Sequence, residues 1–194
     1  MADDVHGLFG ALGISETHWV GLSMGGMIGQ TYALRYPGVF KSMVLADTTS
    51  RYPADAAPAW LDRIKTVETG GMQAIVDTML ARWFTEPYRK SQVQVMDRIG
   101  GSIRATPVAG FAGCCHAIPM INLTQRLKEI NCPTLVIVGE HDPGTPVAMA
   151  REIHAAMPGS ELVIIPSAAH LSNVEQPQAF NAALMGFLDR ALVA

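Results

Sequence analysis

A chain of 194 residues is long enough to bury one sizeable core, and its 49% hydrophobic content suits a parallel sheet covered on both faces. The formal charge of −3 offers no counter-surface to nucleic acid or to an anionic membrane, so neither is expected as a partner. No apolar run reaches the roughly 18 residues of a membrane span, and the acidic start Met1-Ala2-Asp3-Asp4 lacks the basic lead of a signal peptide, so a cytoplasmic location is expected.

Val5, Leu8, Phe9 and Leu12 recur at i, i+3, i+4 and i+7, which predicts one amphipathic helix within residues 1–17, closed by Gly13. An apolar run at Trp19 and Val20 then meets Gly21-Leu22-Ser23-Met24-Gly25, followed by Gly26 and a helix-like stretch from Met27 to Tyr36. G-x-S-x-G between a strand and a helix forms a nucleophile elbow: the turn is so tight that only small residues can flank the serine, whose hydroxyl is raised above the sheet. Ser23 is the candidate nucleophile. Lys41 to Ala46 reads as the next strand, with Asp47-Thr48-Thr49-Ser50 as its exit loop. Asp47 ends that strand as a turn residue or as an alternative acid.

Residues 52–127 break the strand–helix alternation. Trp60, Ile64 and Val67 have helical spacing, as do Met72, Ile75, Val76, Met79, Leu80 and Trp83, with Gly70-Gly71 between them. Further helical patches run from Val93 to Ile103 and from Val108 to Ile118. The expected organisation is a core from 1–51 and 128–194 and an all-helical cap from 52–127, of the kind that closes an active site from water. Arg82 and Trp83 have two readings on pattern alone: a carboxylate anchor beside an apolar wall, or a solvated cation next to a core indole. Three cysteines, including the vicinal pair Cys114-Cys115, lack the spacing of a zinc or redox motif, so buried free thiols and no metal are expected.

The β-branched run Pro133 to Gly139 is a strand buried on both faces, and it ends in Glu140-His141-Asp142-Pro143. An elbow calls for an acid and then a histidine later in the chain, each in a loop at the carboxyl end of a strand. Asp142 takes the first place, with Glu140 as its competitor. Glu161 to Pro166 is the next buried strand, and Ser167-Ala168-Ala169-His170 follows it. Of the six histidines, His170 alone has that position; His6, His18, His116, His141 and His154 do not. A last helix buries Phe180, Leu184, Phe187 and Leu188. Strands alternating with helices imply right-handed crossovers and an α/β fold.

The chemistry explains these residue types. A serine hydroxyl is a weak nucleophile at neutral pH, so a histidine must take its proton and later return it to the leaving group. An aspartate fixes the imidazole tautomer and stabilises the imidazolium, and the N–H of Met24 would donate to the developing oxyanion.

Gly21-Leu22-Ser23-Met24-Gly25-Gly26-Met27-Ile28-Gly29-Gln30, Ala81-Arg82-Trp83-Phe84-Thr85 and Ala169-His170-Leu171-Ser172-Asn173-Val174-Glu175-Gln176-Pro177 together resemble the 3-oxoadipate enol-lactonases of the α/β-hydrolase superfamily. The resemblance runs from the first helix to the last. It implies cofactor-free hydrolysis of a small anionic enol-lactone in the β-ketoadipate branch of aromatic catabolism, with Ser23, Asp142 and His170 as the triad and Arg82 and Trp83 in the pocket. A carbon–carbon-bond hydrolase or a cofactor-free haloperoxidase would share that triad.

The departure from the family lies at the amino end, where members carry about four strands and the loop of the second oxyanion donor ahead of the elbow. Here the nucleophile is residue 23, which predicts an elbow strand at an open sheet edge. Two functions follow: a lactonase or esterase completed by a missing amino-terminal segment or by a second copy of the chain, or a catalytically silent module that assembles through its edge.

Overall fold

The computed structural model describes residues 1–193. Helix α1 (Ala2–Leu12) opens with Asp3 and Asp4 in its first turn, where a negative charge suits the helix dipole. It ends at Gly13, whose left-handed φ of 68° lets its N–H reach back to the Gly10 and Phe9 carbonyls. Val5 and Phe9 pack inward, as their spacing predicts, while Leu8 and Leu12 stay exposed. Strand β1 (Thr17–Leu22), helix α2 (Met24–Arg35) and strand β2 (Phe40–Ala46) follow. Helix α2 starts immediately after Ser23, three residues before the apolar pattern suggests, because Gly25 and Gly26 contribute no hydrophobic signal to a turn that is nevertheless helical.

The chain forms two compact units, Met1–Ser50 with Asn122–Ala194, and Arg51–Ile121. The second contains α3 (Ala57–Gly70), α4 (Val76–Trp83), α5 (Glu86–Ser91), α6 (Val93–Ala105) and α7 (Val108–Ala117). Gly71, at φ 67°, ends α3. Val67, Met72, Ile75, Val76 and Ile103 form one apolar cluster of this unit, and Ile64, Ala112 and Cys115 a smaller one. Residues 122–127, which the pattern assigns to the insertion, belong to the first unit. Leu127 is fully buried there, and Thr124 shares a 2.7 Å hydrogen bond with Ser50.

Strand β3 (Thr134–Gly139), helix α8 (Val147–Ala156), strand β4 (Glu161–Ile165), the single turn α9 (Ser172–Glu175) and helix α10 (Pro177–Val193) complete the first unit. The four strands are parallel, in the order β1-β2-β3-β4. Side chains on a strand alternate between faces, so β2 and β3 serve two cores at once. Met43, Leu45, Val136 and Val138 meet Tyr32 of α2 and Ile153 of α8 on one face. Val44, Ala46, Leu135 and Ile137 meet Phe180 and Phe187 of α10 on the other. No helix of the described residues is long and apolar enough to cross a membrane.

β1 pairs with β2 on one side and lies at the sheet edge, and Val20 on it is 47% exposed. Unpaired backbone groups beside an exposed β-branched side chain form a template for another strand. A polypeptide of residues 1–194 is therefore expected to self-associate, and Val20→Lys to shift it toward monomer. Light scattering of the two proteins at matched concentration checks this; equal, monomeric masses would contradict it.

Candidate active site

Ser23 stands between the last residue of β1 and the first of α2, at φ 51° and ψ −114°. L-residues avoid this region, and here the neighbours impose it. The Ser23 N–H donates to the Ala46 carbonyl at 2.8 Å, continuing the β1–β2 pairing one residue past the strand. Its own carbonyl accepts from Thr48 Oγ1 at 2.6 Å and from the Gly26 N–H at 3.0 Å. A Cβ on Gly21 would collide with the Gly25 backbone, and one on Gly26 would lie 2.6 Å from the Thr48 methyl, so both flanks of the turn require glycine. Met24 is the first residue of α2, and its N–H is among those a helix leaves without an internal acceptor.

The structure brings together the three side chains that the chain order singles out. His170 Nε2 lies 2.9 Å from Ser23 Oγ, and His170 Nδ1 lies 2.7 Å from Asp142 Oδ2. His170 is 9% exposed and Asp142 4%, so the second hydrogen bond is largely shielded from water. Asp142 sits in a turn built to receive it. Its Oδ1 accepts from the N–H groups of Gly144 at 2.7 Å and Thr145 at 3.0 Å, and its Oδ2 also accepts from Thr145 Oγ1 at 2.7 Å. Burial works against its charge, but the hydrogen bonds and attraction of His170, with those of Thr145, outweigh it and hold the carboxyl below its usual range. An ionised carboxylate on Nδ1 favours the tautomer that leaves Nε2 free to accept a proton from the serine.

Glu140, the competing acid, is exposed and accepts from the Ser167 N–H at 3.2 Å. His18 and His154 are engaged with Ser42 and Ser160 at 2.8 and 2.9 Å, and His6 stacks on Tyr36. Asp47 is fully buried and does not hydrogen-bond His170; it accepts from Gly139 and Ser172 instead. Burial pushes its carboxyl up to about 7, against those hydrogen bonds. Glu175, 4% exposed, accepts from the Ala169 N–H at 2.9 Å, beside His170. Thr48 and Thr145 carry no motif of their own, and Ser172 and Glu175 stand in the Ala169–Pro177 segment without a role that the pattern assigns to them. A further sequence signal is the run of polar residues at the end of a buried strand, Asp47 to Ser50, all four of which are buried.

Arg82 and Trp83 lie at the end of α4 in the second unit. Trp83 packs on the Val67–Ile103 cluster, which accounts for its helical spacing. Arg82 is half-buried and pairs with no carboxylate among the described residues. It is close enough to repel Arg63, whose guanidinium stacks 4.5 Å from the Trp60 ring centroid; burial first and then Arg82 lower the Arg63 pKa. Of the three cysteines, expected to be buried, Cys115 alone is fully buried and Cys114 and Cys132 are half-buried. Burial raises the Cys115 and Cys132 thiols, which favours their protonated form.

A sequence model of the α/β hydrolase fold matches residues 1–177. The 3-oxoadipate enol-lactonase 2 of Acinetobacter baylyi is 33% identical over 190 residues, which cover 98% of this chain and 70% of that protein. The crystal structure of the enol-lactonase from Burkholderia xenovorans superposes with a TM-score of 0.92 at 34% identity, over 97% of this chain and 71% of that one. A thermophilic esterase from Thermogutta terrifontis, solved with malate bound, has a TM-score of 0.90 at 29% identity, over 98% and 71%. The chain thus belongs to the α/β-hydrolase fold family and is a hydrolase related to the 3-oxoadipate enol-lactonases.

Proposed function

We propose that this hydrolase is a cytoplasmic serine enzyme that opens a small anionic enol-lactone, with Ser23 as nucleophile, His170 as general base and acid, and Asp142 as the acid that orients it. The observation that carries the reading is the continuous hydrogen-bond chain from Ser23 Oγ through His170 to Asp142, at 2.9 and 2.7 Å. Ser23 Oγ attacks the lactone carbonyl carbon as its proton passes to His170 Nε2. The oxyanion that forms accepts from the Met24 N–H, a preorganised donor that needs no rearrangement at the moment of reaction. Collapse breaks the ring C–O bond, and the enol oxygen leaves with the proton held by His170. Water, activated by the same imidazole, then releases the acid and restores Ser23.

For the substrate's charge, the support is Arg82. A half-buried guanidinium without a carboxylate partner among the described residues is suited to one on a ligand, and Trp83 beside it offers an apolar surface. The related esterase solved with malate carries a dicarboxylate ligand, which agrees with an anionic substrate here. We assign Arg51–Ile121 the role of cap on the same reading. An assembly module without catalysis is the second reading, and the open edge of β1 favours it.

Removing the nucleophile decides between them. Ser23→Ala is expected to lower lactone turnover by roughly 10⁴-fold or more at unchanged circular dichroism, and Asp142→Asn by roughly 10⁴-fold, because an amide holds the wrong imidazole tautomer. Equal rates for wild type and Ser23→Ala would leave the module reading standing.

Substrate charge has its own test. Arg82→Ala is expected to raise KM for an acidic enol-lactone roughly tenfold more than for an uncharged ester of similar size, since only the acid loses a charge-assisted pair. A matching rise for both compounds, measured by steady-state kinetics, would make Arg82 a solvated surface cation.

A further inference from the structure

The exit of β2 touches all three segments that carry Ser23, Asp142 and His170. Thr48 Oγ1 donates to the Ser23 carbonyl at 2.6 Å. Asp47 Oδ1 accepts from the Gly139 N–H at 2.8 Å, where β3 ends and the Asp142 loop departs. Asp47 Oδ2 accepts from Ser172 Oγ at 2.6 Å and from the Ser172 N–H at 3.3 Å, two residues beyond His170. Both Asp47 and Ser172 are completely buried, and Asp47 is one of the non-glycine residues with positive φ, at 45°.

Only a carboxylate satisfies this arrangement in full. The Gly139 and Ser172 amides are obligatory donors on opposite oxygens, so an asparagine could accept one and would turn its own NH₂ against the other. We propose that Asp47 is a positioning residue: it clamps the Asp142 and His170 loops to the end of β2, and its charge steadies the His170 imidazolium that forms during turnover. The inference rests on the hydrolase reading above. Thr48 extends the clamp to the nucleophile, so one dipeptide sets the relative positions of all three groups.

The charges acting on Asp47 are those of His170, which favours its ionised form, and Asp142, which opposes it. Across the His170 loop, Glu175 is buried on the Ala169 N–H. With burial pushing the Asp47 carboxyl up to about 7, its charge changes near neutrality.

The test is an NMR titration of the His170 ring in the full chain, its signal identified by loss in His170→Gln, together with kinetics on p-nitrophenyl acetate. Asp47→Asn removes a negative charge near the imidazolium, so the His170 midpoint is expected to move to lower pH. The same variant is expected to lower kcat roughly ten- to a hundredfold while KM changes less than about threefold. Ser172→Ala should lower kcat in the same direction but less, and adding it to Asp47→Asn should cost almost nothing more, because the two act through one hydrogen bond. An unchanged His170 midpoint in Asp47→Asn, with or without a loss of rate, would reduce Asp47 to a fold residue and overturn the proposal. Should Asp47→Asn fail to fold, Ser172→Ala decides, and wild-type values there overturn it equally. The titration reads the imidazole whether or not ester is turned over. A chain inert to the ester would therefore count against the hydrolase reading alone, while the midpoint still decides the role of Asp47.

Discussion

Ser23 occupies a backbone conformation that side chains avoid, and much of the surrounding structure exists to hold it there. A non-glycine residue in such a region costs about 1–3 kcal/mol, which must be offset locally. Hydrogen bonds to Ala46, Thr48 and Gly26 do so, and the space that Gly21 and Gly26 leave empty lets the turn close. The strain recurs. Among the described residues the non-glycine positions with positive φ are Ser23, Asp47 and Ser167, which follow β1, β2 and β4. Because the strands are parallel, those turns gather at their carboxyl ends, where open α/β sheets place their ligands.

Around this turn lies a set of buried carboxylates, and each accepts hydrogen bonds from its neighbours. Asp142 receives His170, Thr145 and Gly144; Asp47 receives Gly139 and Ser172; Glu175 receives Ala169. Their environments push them apart. Asp142 gains enough from His170 to stay below its usual range, whereas Asp47 has only neutral donors and rises to about 7. Two carboxyls of one type thus acquire different protonation behaviour from burial and partners alone.

The insertion obeys simpler rules. Its helices bury their own apolar stripes in clusters such as Val67, Met72, Ile75, Val76 and Ile103. Arg82, outside the stripe, has no carboxylate partner among the described residues and is half-buried. Trp83 serves the stripe, as its spacing implied, and a substrate contact would be an additional use of the same ring.

What the sequence by itself determined is what short-range chemistry dictates. The continuous β-branched run Pro133–Gly139 marks a strand buried on both faces, Lys41–Ala46 reads as another strand, and glycines around Ser23 mark the sharp turn. Chain order then selects Asp142 and His170; in the fold His170 lies 2.9 Å from Ser23 and Asp142 2.7 Å from His170. Helix α2 begins three residues before its apolar pattern does, since glycines in a helical turn are silent in hydrophobic periodicity. Residues 122–127 resemble the insertion in pattern, because Thr124 and Leu127 show their place only through Ser50 and the core they join. Only the tertiary structure decided that Glu140 stays in solvent while Asp142 enters the site, and that Asp47 bridges Gly139 and Ser172. These outcomes depend on hydrogen bonds between residues as many as 125 positions apart, and such pairings are set by the register of the strands, which no local pattern encodes.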